Sequence, residues 1–371
     1  MPRLAPRLSR IAGSATVAIG NLVAQKRRQG VDLVSFSVGE PDFDTPQPVK
    51  DAAAKALAEG KTKYTPGPGI PELREAVARR HREDNGIPCE AAHVIVSPAK
   101  TAIFLSLMAT SDRGDEVLLP DPGWVSYEPM VRWTGAKPVG IPLLAEESFR
   151  MTPEAVAERI GPKTRVLVLN SPSNPTGGVA TPDDVQGLVD LAVDHDLWIV
   201  SDEIYQKLIY GSARHVSPAS LPGGFERTIT VDGVSKAYAM TGWRIGWAVA
   251  PKPVWAELDK LQSQSITHCT SFAQYGAAAA LTGPQDSVAR MRAEFNARRD
   301  LIVEGLSSLP GVTCPVPGGA FYAFPRFEAR RWGGLGDEEL CKALIEKAGV
   351  ATTPGSSFGR RGKGHLRLSY A

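Results

Sequence analysis

The chain is poor in the residues that staple small or metal-bound folds. Among 371 residues there are four cysteines, Cys89, Cys269, Cys314 and Cys341, widely spaced and without a CxxC pair, which argues against a disulfide framework and a zinc site. Charge of one sign is also lacking: Lys plus Arg number 42 and Asp plus Glu 40, so no electrostatic footprint for nucleic acid or anionic lipid exists. No apolar run reaches the length of a membrane span. Arg3, Arg7 and Arg10 are not followed by the apolar stretch of a signal peptide, and a cytoplasmic, reduced location is expected. A GxSxG hydrolase elbow is missing. Gly67-Pro68-Gly69 follows Tyr64-Thr65-Pro66 rather than a strand, which removes the nicotinamide-dehydrogenase reading.

What remains is an ordinary globular composition, 43% hydrophobic and 22% charged, long enough for two domains. The middle of the chain is the most readable. Arg165–Asn170 is a short apolar run ending in a Ser/Pro/Asn/Gly cluster, which predicts a buried strand. Thr181 caps a helix with Pro182 at its first position and Asp183 and Asp184 in its first turn. Val185, Leu188, Val189 and Ala192 share one face of it, and Leu197–Val200 follows as a second strand. This βαβ unit implies a parallel sheet covered on both faces. Val94–Val96, Val117–Leu119, Ile229–Val231 and Ile245–Ala250 extend the pattern, with a helix over 101–108. An α/β fold is expected, its large domain spanning 47–284. The ends, 1–46 and 285–371, are expected to join into a smaller domain; they carry helices near 17–29 and 288–306.

Ligands of open parallel sheets bind beyond the carboxyl ends of the strands. There the chain presents Asn174, Asp202, Tyr205 and Lys236. Singly, each has a bland reading: a solvated lysine, an acid capping a helix, a turn at Asn174–Gly177, a surface ion pair at Arg244. Together with Trp124 they match the needs of pyridoxal phosphate. That cofactor takes a lysine amine, a carboxylate at its ring nitrogen and donors at its ring oxygen. It also takes an aromatic plate, plus a helix N-terminus and a cation for the phosphate.

Several stretches carry a resemblance across nearly the whole length: SVGEPDFDTP (37 to 46), KYTPGPGIPELREAV (63 to 77), GWVSY (123 to 127) and NSPSNPTGG (170 to 178). To these are added SDEIYQKLIY (201 to 210), VSKAYAMTGWRIGW (234 to 247), GAFYAF (319 to 324), PGSSFG (354 to 359) and LRLSYA (366 to 371). The chain resembles the class I aminotransferases of pyridoxal-phosphate fold type I, and in particular the gamma subgroup of bacterial aspartate aminotransferases. The resemblance implies a mostly parallel seven-stranded sheet flanked by helices, a smaller α+β domain, and a homodimer with shared active sites. Lys236 would hold the cofactor as a Schiff base and move the substrate proton, with Ser235 beside it. Asp202 would pair with the ring nitrogen, Tyr205 and Asn174 would contact the ring oxygen, and Trp124 would stack on the ring. Ala99 and Lys100 would offer backbone N–H groups to the phosphate, joined by Arg244 and by Tyr64 from the other subunit. Arg367 would grip the substrate α-carboxylate in a bidentate fork beside the backbone of Gly39, with Trp124 and Asn174 also facing the substrate.

The implied reaction moves an amino group from an L-amino acid to a 2-oxo acid by a ping-pong route. Ser14 and Thr16 match a Ser-x-Thr pattern near the substrate and point to aspartate; an aromatic, alanine-like or specialised donor stands behind it. A β-lyase, decarboxylase or oxidase on the same scaffold is the rival chemistry, and a non-catalytic cofactor-binding regulator the rival class. The sequence departs from the pattern at Ser97-Pro98-Ala99-Lys100, where relatives carry glycines, and at Thr267-His268-Cys269-Thr270. After Arg367 the resemblance also leads one to expect a C-terminal helix, whereas the sequence closes at Ala371.

Overall fold

The computed structural model describes residues 11, 13 and 15–371. Its centre is a seven-stranded sheet of β1 (Val94–Val96), β2 (Glu116–Asp121), β3 (Lys137–Pro142), β4 (Thr164–Asn170), β5 (Trp198–Asp202), β6 (Thr228–Gly233) and β7 (Gly246–Val249). The strand order is β1-β7-β6-β5-β4-β2-β3. Every neighbouring pair from β6 to β3 is parallel, whereas β7 runs antiparallel to both β6 and β1. The cause lies in the connection. A parallel return needs a crossover, as a rule a helix, but 234–245 holds only a single helical turn at Thr241–Trp243, so the chain doubles back.

Two helices set the site. α1 (Ala99–Thr110) starts earlier than its apolar residues suggest, because Pro98 takes the cap position and leaves Ala99 as the first helical residue. α2 (Pro182–Asp194) crosses from β4 to β5. Its start is a reciprocal capping box: Thr181 Oγ1 accepts from the Asp184 backbone N–H at 3.1 Å, and the Asp184 carboxylate accepts from that of Thr181 at 2.8 Å. Val185, Leu188, Val189 and Ala192 are all buried against the sheet. Truncating Leu188 to Ala there would cost roughly 2–5 kcal/mol. β4 is buried on both faces from Val166 to Asn170, as a strand between helix layers must be.

At the ends, Val34–Ser35 pairs in parallel with Val350–Ala351, joining the N-terminal segment to the C-terminal one. Tyr322–Ala323 and Thr353–Pro354 flank Leu366–Ser369 in a small antiparallel sheet. The long helix α3 (Asp286–Ser307) buries Phe295 against Phe321. The first described helix is Ala15–Arg28. Among the described residues no helix is long and apolar enough to cross a membrane. All four cysteines are free and buried.

Candidate active site

The carboxyl ends of β4, β5 and β6 open into one cavity of about 460 Å³, within the usual range for a small-molecule site. Register makes the convergence: Asn170 at the end of β4 pairs with Asp202 at the end of β5. The Asn170 amide donates to the Asp202 carbonyl at 3.0 Å and accepts from the Asn174 N–H at 2.9 Å, fastening the loop that carries Asn174 to the neighbouring strand. β6 then delivers Ser235 and Lys236 to the same wall.

Asp202 is buried, with Oδ2 accepting from the Tyr127 hydroxyl at 2.6 Å and Oδ1 from the Ile204 N–H at 3.3 Å. Burial pushes its carboxyl up to about 6, against the pull of those two donors. The adjacent Glu203 serves elsewhere: fully buried, it accepts from Ser201, Ser217 and His215 in a separate cluster. No helix follows the pair, so Asp202 is not a cap. Lys236 donates from Nζ to the Gly39 carbonyl at 2.7 Å. Burial, reinforced by the Arg367 charge, draws its amine down to about 8.

The Tyr205 and Tyr322 hydroxyls lie 2.8 Å apart, both buried. Arg367, 3% exposed, donates to Asn174 Oδ1 at 3.1 Å and to the Ser37 carbonyl at 2.6 Å. The rings of Tyr322 and Phe358 lie 4.8 and 4.9 Å from its guanidinium, and its buried Nε meets no acceptor among the described residues. Because Asn174 Oδ1 is taken by Arg367, the Asn174 amide nitrogen is left as a donor.

Ala99 and Lys100 open α1, whose first N–H groups have no partner within the helix. Gly246 lies so close that a Cβ there would come within 2.8 Å of the Ala99 nitrogen, so glycine keeps this turn against the sheet. Arg244 adopts a left-handed φ of 58° and donates to the Thr241 carbonyl at 2.8 Å; it makes no ion pair among the described residues. The Lys100 ammonium lies 4.7 Å from the Trp124 ring and donates to Ser126 at 3.2 Å. Trp124, Gly39 and Thr16 line the same cavity.

One expected residue with a described position is not in it. Tyr64 is 90% exposed, outside the cavity lining, its ring edge-on to His268 at 5.5 Å. Ser14 lies outside the described residues. In the divergent segment Cys269 is buried and donates to the Arg244 carbonyl at 3.8 Å, while His268 stands beside Tyr64. Sequence reasoning missed the partners Tyr127, Tyr322, Asn170 and Ser37. The signal was a tyrosine inside an apolar stretch at 127 and at 322, since a buried phenol needs a hydroxyl partner.

This donor set fits pyridoxal phosphate: an amine of lowered proton affinity, a buried carboxylate of raised proton affinity, donors beside it, and a helix N-terminus flanked by two cations. The model for "Aminotransferase class I and II" matches residues 31–371. The chain is 45% identical to the probable aspartate/prephenate aminotransferase of Aquifex aeolicus, covering 99% of this chain and 94% of that protein. It is 44% identical to the aspartate aminotransferase of Geobacillus stearothermophilus, covering 100% and 94%. The solved structure of the Thermus thermophilus aspartate aminotransferase with maleate superposes with a TM-score of 0.94 at 45% identity, covering 100% of this chain and 95% of that one. The chain belongs to the class I and II aminotransferases and is a pyridoxal-phosphate-dependent enzyme of that family.

Proposed function

We propose that the enzyme takes its amino group from a dicarboxylic L-amino acid, aspartate first, and passes it to a 2-oxo acid in a ping-pong cycle. The observation that carries this reading is the cavity's charge: among the described residues, Lys100, Lys236, Arg244 and Arg367 line it against one carboxylate, Asp202. Lys236 is committed to the cofactor, Arg244 to its phosphate with the α1 N-terminus, and Arg367 to the substrate α-carboxylate. Lys100 is then the cation left for a distal carboxylate. Relatives named for aspartate support the same choice.

Bound pyridoxal phosphate supplies a protonated ring that takes up the electrons left when the Cα proton departs. Asp202 would hold the proton on the ring nitrogen, and the Asn174 amide and Tyr205 hydroxyl would donate to the ring oxygen. Trp124, which lines the cavity, would cover a face of the ring and keep water from it. Arg367 orients the substrate through its carboxylate, with Gly39 and Thr16 nearby. Lys236 Nζ would be the group that holds and moves the proton of the substrate Cα. Ser235 fixes the turn that aims Lys236.

The chain divides, in this reading, into a large domain of 47–284 and a small one of 1–46 with 285–371, supported by the pairing of Val34–Ser35 with Val350–Ala351. A homodimer is part of the proposal. Tyr64, exposed and outside its own chain's cavity, is the residue that would serve the partner's phosphate. A cytoplasmic location agrees with four free thiols.

The test is a half-reaction screen. The holoenzyme receives one amino acid at a time, and the visible cofactor band is followed until a 2-oxo acid restores it. Aspartate should discharge the band at the lowest concentration. Lys100→Gln should raise the concentration needed for aspartate about tenfold and leave alanine unchanged. An equal effect on both would remove Lys100 from distal recognition.

A further inference from the structure

Tyr322 stands between two groups with different tasks. Its hydroxyl meets that of Tyr205 at 2.8 Å, and its ring lies 4.8 Å from the Arg367 guanidinium. It is 1% exposed, lines the cavity, and has no hydroxyl partner other than Tyr205 among the described residues. Gly39 packs on it so tightly that any Cβ at 39 would collide with the phenol, so the ring has no room to turn away. A buried phenol with one available partner and a locked ring has its role fixed by its surroundings.

We infer that Tyr322 is a positioning residue that joins cofactor tuning to carboxylate binding: its hydroxyl donates to Tyr205, and its ring face holds the Arg367 guanidinium. This rests on the proposal above that Tyr205 faces the cofactor's ring oxygen. Each phenol has one proton. Tyr205 spends its own on the ring oxygen only if its oxygen accepts from Tyr322, and Tyr322 has no other acceptor to serve. The outcome is a chain of two hydroxyls running from Tyr322 through Tyr205 into the cofactor. A hydrogen bond in such a chain is strengthened by its neighbour by roughly 10–30%. On the other side, a cation above an aromatic face in a desolvated site gains from the ring's quadrupole, and Tyr322 shares this role with Phe358 at 4.9 Å.

The two roles separate by substitution. Tyr322→Phe removes the hydroxyl and keeps the ring; Tyr322→Leu removes both. A donor at the ring oxygen makes the bound cofactor easier to deprotonate, so weaker donation raises the pH midpoint of its visible band. The experiment titrates that band in wild type, Y205F, Y322F and Y322L, and measures maleate binding to each holoenzyme by the change in the band. Y205F should raise the midpoint. Y322F should raise it by roughly a tenth to a third of that amount, with maleate affinity held within about twofold. Y322L should match Y322F in midpoint and bind maleate about two- to thirtyfold more weakly.

A raised midpoint in Y205F with none in Y322F, or a lowered one in Y322F, would overturn the hydroxyl chain. Unchanged maleate affinity in Y322L would overturn the ring's hold on Arg367. If Y205F itself leaves the midpoint where it was, the facing of Tyr205 to the ring oxygen fails, and the inference falls with it.

Discussion

Replacing Tyr127 with Phe deletes one hydroxyl and keeps a buried ring, so its effect isolates the bond to Asp202. In the cofactor-free protein that carboxyl titrates at about 6. A hydrogen bond to a charged group is worth about 1.5–3 kcal/mol, and each pH unit about 1.36 kcal/mol, so its loss lifts the carboxyl by about one to two further units. The consequence for cofactor binding depends on pH in a direction that can be worked out. Below the wild-type value of about 6, both proteins carry a proton at Asp202 before binding. Binding ionises the carboxylate against the ring nitrogen, and only wild type regains the Tyr127 bond. The ratio of dissociation constants, variant over wild type, is there about tenfold to a hundredfold. At pH near 7 it is about twofold to tenfold. Above about pH 8 to 9 both carboxyls are ionised beforehand, the bond is missing from both states of the variant alike, and the ratio returns to about one. Pyridoxamine phosphate is the suitable probe because it forms no bond to Lys236, and its own titrations cancel in the ratio. Quenching of tryptophan fluorescence by it, measured across the pH range, gives the constants. A ratio that is flat, or that grows with pH, refutes the donor role of Tyr127.

Two further outcomes follow from the same geometry. The rate at which cofactor-free protein captures pyridoxal phosphate should rise with pH through about 8, where the Lys236 amine loses its proton, and level off above it; stopped-flow absorbance reads this, and a rate still climbing near pH 10 would contradict the lowered value. Arg367→Lys keeps a charge but cannot hold Asn174, Ser37 and a carboxylate in one plane, so KM for the amino donor should rise about tenfold to a hundredfold with a smaller fall in kcat; an unchanged KM in steady-state assays would exclude Arg367 from substrate binding.

The parts legible in the sequence are those whose signal is local. The βαβ unit through α2 reads directly because Thr181, Pro182 and Asp184 write its cap, and Val185 to Ala192 write its buried face. The direction of β7 does not read, because burial periodicity is the same for a strand running either way. The strands at Val34–Ser35 and Tyr322–Ala323 are two residues each, too short to show an alternation. Within the site, Asn174, Asp202 and Lys236 are legible because each follows a strand. Their partners are not, because Tyr127 meets Asp202 across 75 residues and Tyr205 meets Tyr322 across 117. Tyr64 illustrates the opposite case: the resemblance singles it out, yet nothing within its own chain's cavity explains it.

The position of Arg367 also bears on when Lys236 acts as a base. After burial, the Arg367 charge is the largest cause holding the Lys236 amine down to about 8. A substrate carboxylate on Arg367 neutralises that charge, and so raises the proton affinity of Lys236 when a Cα proton has to be taken. Before substrate arrives, the lowered value keeps the amine unprotonated often enough to bond the cofactor. The same side chain thus meets two opposed demands, and the switch between them is the anion itself. In the cofactor-free protein, maleate stands in for that anion: the midpoint of the capture rate, near 8, should move upward when maleate is present. A midpoint that stays put, or falls, while maleate is bound would mean that Arg367 and Lys236 do not sense one another, and that burial alone sets the amine.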